Sequence, residues 1–260
     1  MVVDIIKKKS TFNEMDHPMK ICVAQTRPVT GDIAANIEYH KTFIALAAAN
    51  GADVIIFPEL SLTGYEPSLA KELATDATDN RFDPFQPLSN AKQITIGIGI
   101  PIKSAGGIHI SMVLFQPNKP RQVNSKKYLH ADEEPFFVSG NNISGLVIND
   151  MPVALAICYE ISIPEHAENA SKSGAQVYIA SVAKTVKGVE KARTGLSDIA
   201  NKYGMTVLLS NCVGMCEDGE CGGRSAVWNN KGTLLGELND TEEGILLLDT
   251  AKQAVMKISI

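Results

Sequence analysis

The sequence predicts a layered α/β fold, and three observations carry that reading. Short β-branched runs recur along the chain, several of them apolar at nearly every position, as central strands buried on both faces are. Between them stand segments with apolar residues at helical spacing that close on glycine. After the first 18 residues no low-complexity linker, internal repeat or break in composition divides the chain. A tail over residues 1–18 and one domain over residues 19–260 are therefore expected.

The start, MVVDIIKKKSTFNEMDHPMK, places Lys7, Lys8 and Lys9 after a short apolar patch, with no small-residue cleavage site behind it. That is the wrong charge order for a secretory signal, and Met15 or Met19 are alternative initiators. Expected strands follow in KICVAQT, DVIIFPE, ITIGIGI, ISMVLF, GLVIND, PVALAICYE, AQVYIAS, TVLLSN, SAVWN, LLGEL and GILLLDT. NIEYHKTFIALAAANG sets Ile37, Ile44 and Ala48 on one stripe, with Phe43 and Ala47 beside it, and ends at Gly51. GVEKARTGLSDIANKYG does the same with Val189, Ala192, Leu196, Ile199, Ala200 and Tyr203 before Gly204. A third helix opens on Pro164 and Glu165 and closes at Gly174.

Composition narrows the function. The 260 residues carry a net charge of -5, so no basic field recruits nucleic acid or anionic lipid. The longest apolar runs fall far short of the roughly 20 residues of a membrane span. Five cysteines in a chain of this length argue against a disulfide framework and for a reducing compartment, the cytoplasm.

Functional residues in α/β sheets gather where strands end, and three such places carry reactive side chains. Glu59 follows the strand of DVIIFPE directly. A carboxylate there is poorly solvated, and its pKa rises toward the range of a general base. Lys126 and Lys127 stand side by side in SKKYLHADEEPFFVSG, and on an extended segment only one can face a site. Cys158 ends the apolar run MPVALAIC, with the acidic Glu160 two positions later and a helix start beyond. A thiolate there can draw on backbone N–H groups and a nearby ammonium. Acid, lysine and thiol make a coherent mechanism: Glu takes the thiol proton, the thiolate attacks a carbonyl or nitrile carbon, and Lys with a backbone N–H holds the oxyanion.

Other readings compete for the same residues. His166 could pair with Cys158 as in papain-like enzymes, but its helix position reads as a surface side chain. A glutamine amidotransferase elbow needs glycine around the cysteine, and LAICYEIS has none. Cys212, Cys216 and Cys221 invite a zinc reading, but the spacing is loose and no histidine lies near, so no metal is expected. Trp228 and Tyr65 read as core or pocket wall.

FPELSLTGY, SKKYLH with EEPFFVSG, and ICYEISIPE together resemble the three signature segments of the nitrilase superfamily of carbon–nitrogen hydrolases. The resemblance runs from about Lys20 to Thr250. It implies Cys158 as nucleophile, Glu59 as base and, counting back from Leu129, Lys126 rather than Lys127 as the catalytic lysine. It further implies Glu133, seven residues before Gly140, as a positioning acid, and the Tyr159 backbone N–H as partner of Lys126 at the oxyanion. Tyr128 stands where the family often has His. The implied fold is a four-layer α-β-β-α sandwich pairing into homodimers by sheet extension, with no cofactor. Tyr65, Ser181 and Val182 are expected at the substrate pocket, beside the loops SVAKTVKGVE and EPSLAKELATDATDNRFDP. The implied reaction is hydrolysis of a small linear amide, ω-amide or N-carbamoyl compound. Acyl transfer and nitrile hydrolysis are the alternatives, and a non-catalytic binding protein is disfavoured because all the reactive residues are present.

Overall fold

A computed structural model describes residues 18–217 and 219–260. The tail expected over residues 1–18, with Met15, falls outside these residues up to position 17, whereas Met19 lies in the core. The chain begins with β1 (Lys20–Gln25), α1 (Ile33–Ala49), β2 (Val54–Ile56), the short α2 (Ala70–Leu73), α3 (Phe85–Lys92), β3 (Thr95–Ser104), β4 (Gly107–Phe115) and β5 (Gln122–Ser125). It continues through β6 (Val147–Ile148), β7 (Met151–Ile157), α4 (Pro164–Lys172), β8 (Val177–Ser181), α5 (Val186–Tyr203) and β9 (Thr206–Ser210). The last elements are the hairpin β10 (Val213–Cys216) and β11 (Gly219–Gly222), then β12 (Ala226–Trp228), β13 (Leu234–Glu237), β14 (Gly244–Asp249) and β15 (Ala254–Ser259).

Two sheets result. One has seven strands in the order β15-β14-β1-β2-β3-β4-β5, the other six in the order β13-β12-β9-β8-β7-β6. Each has three parallel strands at its centre, β1-β2-β3 and β7-β8-β9, and antiparallel strands outside them. The parallel strands explain the continuous apolar runs, because side chains on both faces need cover. In β1, Ile21 and Val23 enter the core between the sheets, while Cys22 and Ala24 face α1 with Ile37, Phe43 and Ile44. In β7, Val153, Leu155 and Ile157 join the central core, and Ala156 packs on the outer side with Val189, Leu196 and Trp228. Helix, sheet, sheet and helix stack as four layers.

Two buried hydroxyls cross between the sheets. Ser181 Oγ donates to the carbonyl of Phe57 at 2.8 Å, and Ser210 Oγ donates to that of Ala24 at 2.7 Å and approaches that of Ile56 at 3.2 Å. All three acceptors lie at the C-terminal ends of β1 and β2 or just beyond, where the candidate site also sits.

Several elements are not in the sequence expectation. β5 reads QVNS and β15 reads AVMKIS, too polar or too exposed to announce themselves. The segment after Glu66, expected as loop, winds into short helical turns at Pro67–Leu69, α2 and Asn80–Phe82. Among the described residues no helix is long and apolar enough to cross a membrane.

Candidate active site

Glu59 leaves the end of β2 on a loop that lies flat against β3. A Cβ on Gly99 would come within 2.4 Å of Leu60 N and 2.5 Å of Pro58 O, so this position tolerates only glycine. The loop is pinned further by Leu62 N–H on Gly99 O at 3.0 Å and by Ser61 Oγ, which accepts from Gly99 N at 3.2 Å. Ser61 Oγ also meets His40 Nε2 at 2.9 Å, and His40 Nδ1 meets Asn36 O at 2.7 Å. A carbonyl can only accept, so Nδ1 carries the proton, the ring is neutral and Nε2 accepts from Ser61. The carboxylate of Glu59 is held in turn: Oε2 accepts the N–H of Ala183 at 3.2 Å, and Oε1 accepts from Lys126 Nζ at 2.8 Å.

Lys126 follows β5 and is fully buried. Its N–H donates to Ile110 O and its carbonyl accepts from Gly140 N, each at 2.8 Å. Gly140 packs so closely that a Cβ would meet Ser125 Cβ at 2.4 Å. The Lys126 ammonium reaches Glu133 Oε1 at 2.6 Å as well as Glu59. Glu133 is fixed by Tyr65 Oη at 3.1 Å on Oε1 and by His130 N–H at 2.8 Å on Oε2. An ammonium has three donors; two are taken by carboxylates. Lys127, the next residue, is exposed, and its ammonium lies 5.1 Å from the Tyr128 ring centre.

Cys158 follows β7 directly and opens a 3-10 turn through Ser162. Its φ is +45°, in the left-handed region, a conformation that costs a non-glycine residue about 1–3 kcal/mol and is retained where the surroundings impose it. Part of that imposition comes from Glu160, buried under the turn. Glu160 Oε2 accepts Ile157 N–H at 2.8 Å, while Oε1 accepts Lys127 N–H at 2.7 Å and Asn142 Nδ2 at 2.9 Å.

Electrostatics follow from burial. Loss of water pushes the Glu59 carboxyl above its usual range; Lys126 opposes the rise and Glu133 adds to it. Burial alone would lower the Lys126 ammonium, but Glu59, Cys158 and Glu133 outweigh it and the net direction is up, so it stays charged. Burial, then the charge of Glu59, pushes the Cys158 thiol up to about 12 against the pull of Lys184 and Lys126.

A family model for carbon–nitrogen hydrolases matches residues 20–257. The chain belongs to the carbon–nitrogen hydrolase family. Among relatives of this hydrolase, an (R)-stereoselective amidase from a Pseudomonas species is 27% identical over 77% of this chain and 73% of its own. A 2-oxoglutaramate amidase from Bacillus subtilis is 26% identical over 88% of this chain and 90% of its own. In fold, the hydrolase is similar to a cysteine-to-alanine variant of the amidase from Nesterenkonia sp. AN1 in complex with butyramide. That likeness has a TM-score of 0.81, 23% identity and coverage of 90% and 91% of the two chains.

The structure of the hydrolase therefore brings Glu59, Lys126, Glu133 and Tyr65 into direct contact and sets Cys158 beside them, with the Tyr159 backbone one residue on. Two expectations need correction. Ser181 and Val182 are buried, and the Ser181 hydroxyl is engaged with Phe57 O rather than facing a pocket. His166 is not a surface residue: α4 is so polar that His166 and Ala167 are its buried positions, and His166 Nδ1 meets Tyr178 Oη at 2.8 Å. Sequence reasoning also assigned Glu160 no task. Its position two residues after Cys158 was visible, but its partners are chiefly main-chain N–H groups. A cavity of about 150 Å³ lies behind it, walled by Tyr128, Asn142, Leu155 and His166, and Cys158 does not line it. Cys216 and Cys221 approach to 3.4 Å, and among the described residues no three His, Cys, Asp or Glu side chains are grouped to hold a metal.

Proposed function

We propose that this chain is an amidase-type hydrolase that opens the non-peptide C–N bond of a small linear amide, ω-amide or N-carbamoyl compound through a thioester on Cys158. The observation that carries the reading is the buried ammonium of Lys126, held between Glu59 and Glu133 beside a half-buried thiol at a strand end. Glu59 takes the Sγ proton as sulfur attacks the carbonyl carbon. The oxyanion is received by the remaining Lys126 donor and the Tyr159 N–H. Collapse of the tetrahedral intermediate breaks the C–N bond, and the Glu59 proton leaves with ammonia or an amine. Water, deprotonated by Glu59, then cleaves the thioester, giving the carboxylic acid and restoring the thiol. Glu133 and Tyr65 position the lysine. Every step uses side chains and backbone, so turnover is expected to survive EDTA.

Residues 19–260 act in this proposal as one catalytic domain in the cytoplasm, paired into a homodimer as the family resemblance implies. Two experiments decide the chemistry. Cys158→Ala should abolish ammonia release while leaving the melting temperature within a few degrees, and a slow amide should leave its acyl group on the peptide containing Cys158. An adduct on Cys212 or Cys216, or an active alanine variant, overturns the assignment. Acyl transfer to added amine that outruns acid formation would replace hydrolysis by transfer.

A further inference from the structure

Lys184 stands in the loop between β8 and α5, and the fold sets its backbone two residues beyond the neighbour of Cys158. The parallel register pairs Ile157 with Ser181, so the next residues, Cys158 and Val182, leave the sheet side by side. Ala183 then donates its N–H to Glu59. The peptide groups of Lys184 are clamped: its N–H donates to Asn211 Oδ1 at 2.9 Å, and its carbonyl accepts Asn211 Nδ2 at 3.2 Å and Gly222 N–H at 2.8 Å. Asn211 is fully buried, so the root of the lysine side chain is fixed. Gly188 leaves the side chain room, since even an added Cβ there would only touch Lys184 Cβ at 3.5 Å.

Among the described residues its charge has no ionic partner. Lys126 is shared by two carboxylates, whereas half-buried Lys184 makes no ion pair among the described residues, and the first turn of α5 brings no acidic side chain to it. Of the two ammonium groups that pull on the Cys158 thiol, Lys184 pulls harder. A half-buried cation near Cys158, with no ion-pair partner among the described residues, favours a reactant that brings one.

We propose that Lys184 sets substrate choice by receiving a carboxylate carried on the amide, which makes short amides bearing a carboxylate the preferred substrates. This rests on the amidase reading above and names the substrate class within it. Nothing in the covalent chemistry changes; the substrate carboxylate and the ammonium form a charge-assisted hydrogen bond while the amide end meets Cys158.

Succinamate and butyramide form a matched pair of probes, with the same reacting amide and the same length, differing in a terminal carboxylate against a methyl. Values of kcat/KM for both, read by ammonia release, should favour succinamate in the wild type. In Lys184→Met the succinamate-to-butyramide ratio should fall at least tenfold, mainly through KM, and Lys184→Arg should retain most of it. The proposal is overturned if the ratio survives Lys184→Met. It is equally overturned if both substrates lose the same factor, the mark of a lysine that acts on the thiol and not on the substrate. Failure of the underlying amidase reading looks different: the wild type would release ammonia from neither probe and form no adduct on Cys158.

Discussion

The carboxylate of Glu160 accepts the backbone N–H of Lys127 at 2.7 Å, joining the turn that carries Cys158 to the strand end that carries Lys126. With its bond to Ile157 N–H, Glu160 makes one rigid unit of two loops that approach from different sheets. Glu160→Gln retains one acceptor oxygen but turns an NH2 group toward a donor. Leaving a buried donor unsatisfied costs about 1–3 kcal/mol. The variant should melt at least several degrees lower, and among molecules still folded kcat should fall at least tenfold with KM nearly unchanged. A lowered melting temperature with wild-type kcat would make Glu160 purely structural.

The neighbouring lysines should part company on substitution. Lys126 is buried between two carboxylates and Lys127 is exposed on Tyr128. Losing one donor to an oxyanion costs on the order of 3–4 kcal/mol, so Lys126→Ala should lose about two to three orders of magnitude in kcat. It should also lose stability, since two buried carboxylates are left without their cation. Lys127→Ala, which keeps the backbone N–H that Glu160 needs, should stay within a fewfold of wild type. Steady-state kinetics with parallel thermal melts check both.

Cys158 should show no thiolate step near neutral pH. Its pKa is raised to about 12, so the proton stays on sulfur below that pH. The absorbance at 240 nm of wild type minus Cys158→Ala should be flat from about pH 6 to 10, the range in which an ordinary cysteine titrates. A step in that window would mean a preformed thiolate and remove the need for Glu59 as base in the first step.

His40 makes the protein acid-sensitive in a calculable direction. Burial lowers its pKa from 6.5 to about 3. Between those values the unfolded chain binds the proton and the folded one does not, so stability is fully present above 6.5 and is lost as pH falls toward 3. One proton contributes a slope of about 1.4 kcal/mol per pH unit. Urea unfolding across that window should show a shallower slope for His40→Gln, whose amide can still donate to Asn36 O and accept from Ser61. Equal slopes would place the acid sensitivity elsewhere.

The layers were legible because their physics is periodic. Ile21 and Val23 against Cys22 and Ala24, or Val153 and Leu155 against Ala156, report a strand covered on both sides before any coordinate is known. Glu59 and Cys158 stood out because each sits at the end of an apolar run; the strand before Lys126 reads QVNS, so that residue was singled out only by the family resemblance. What stayed hidden depends on partners that leave no local trace. Glu160 bonds mainly to peptide groups, Ser181 reaches across to Phe57, and His166 is buried on a helix whose other residues are mostly polar. The size of the upward shift on the thiol was hidden for a related reason: it is a balance between burial and four neighbouring charges.

The hydroxyls of Ser181 and Ser210 have a mechanical consequence. Between two apolar sheets, only the fit of interdigitated side chains opposes a slide, because dispersion itself is non-directional. A hydrogen bond to a fixed carbonyl cannot follow such a slide; it weakens steeply once distance and angle are lost. Glu59 travels with β2 and Cys158 with β7, so any shear between the sheets would be spent directly on the distance between these two side chains. Ser181 on Phe57, and Ser210 on Ala24 and Ile56, act as dowels at the end of the sandwich where that distance is set. The placing of Glu59 against Cys158 is thereby entrusted to two small side chains.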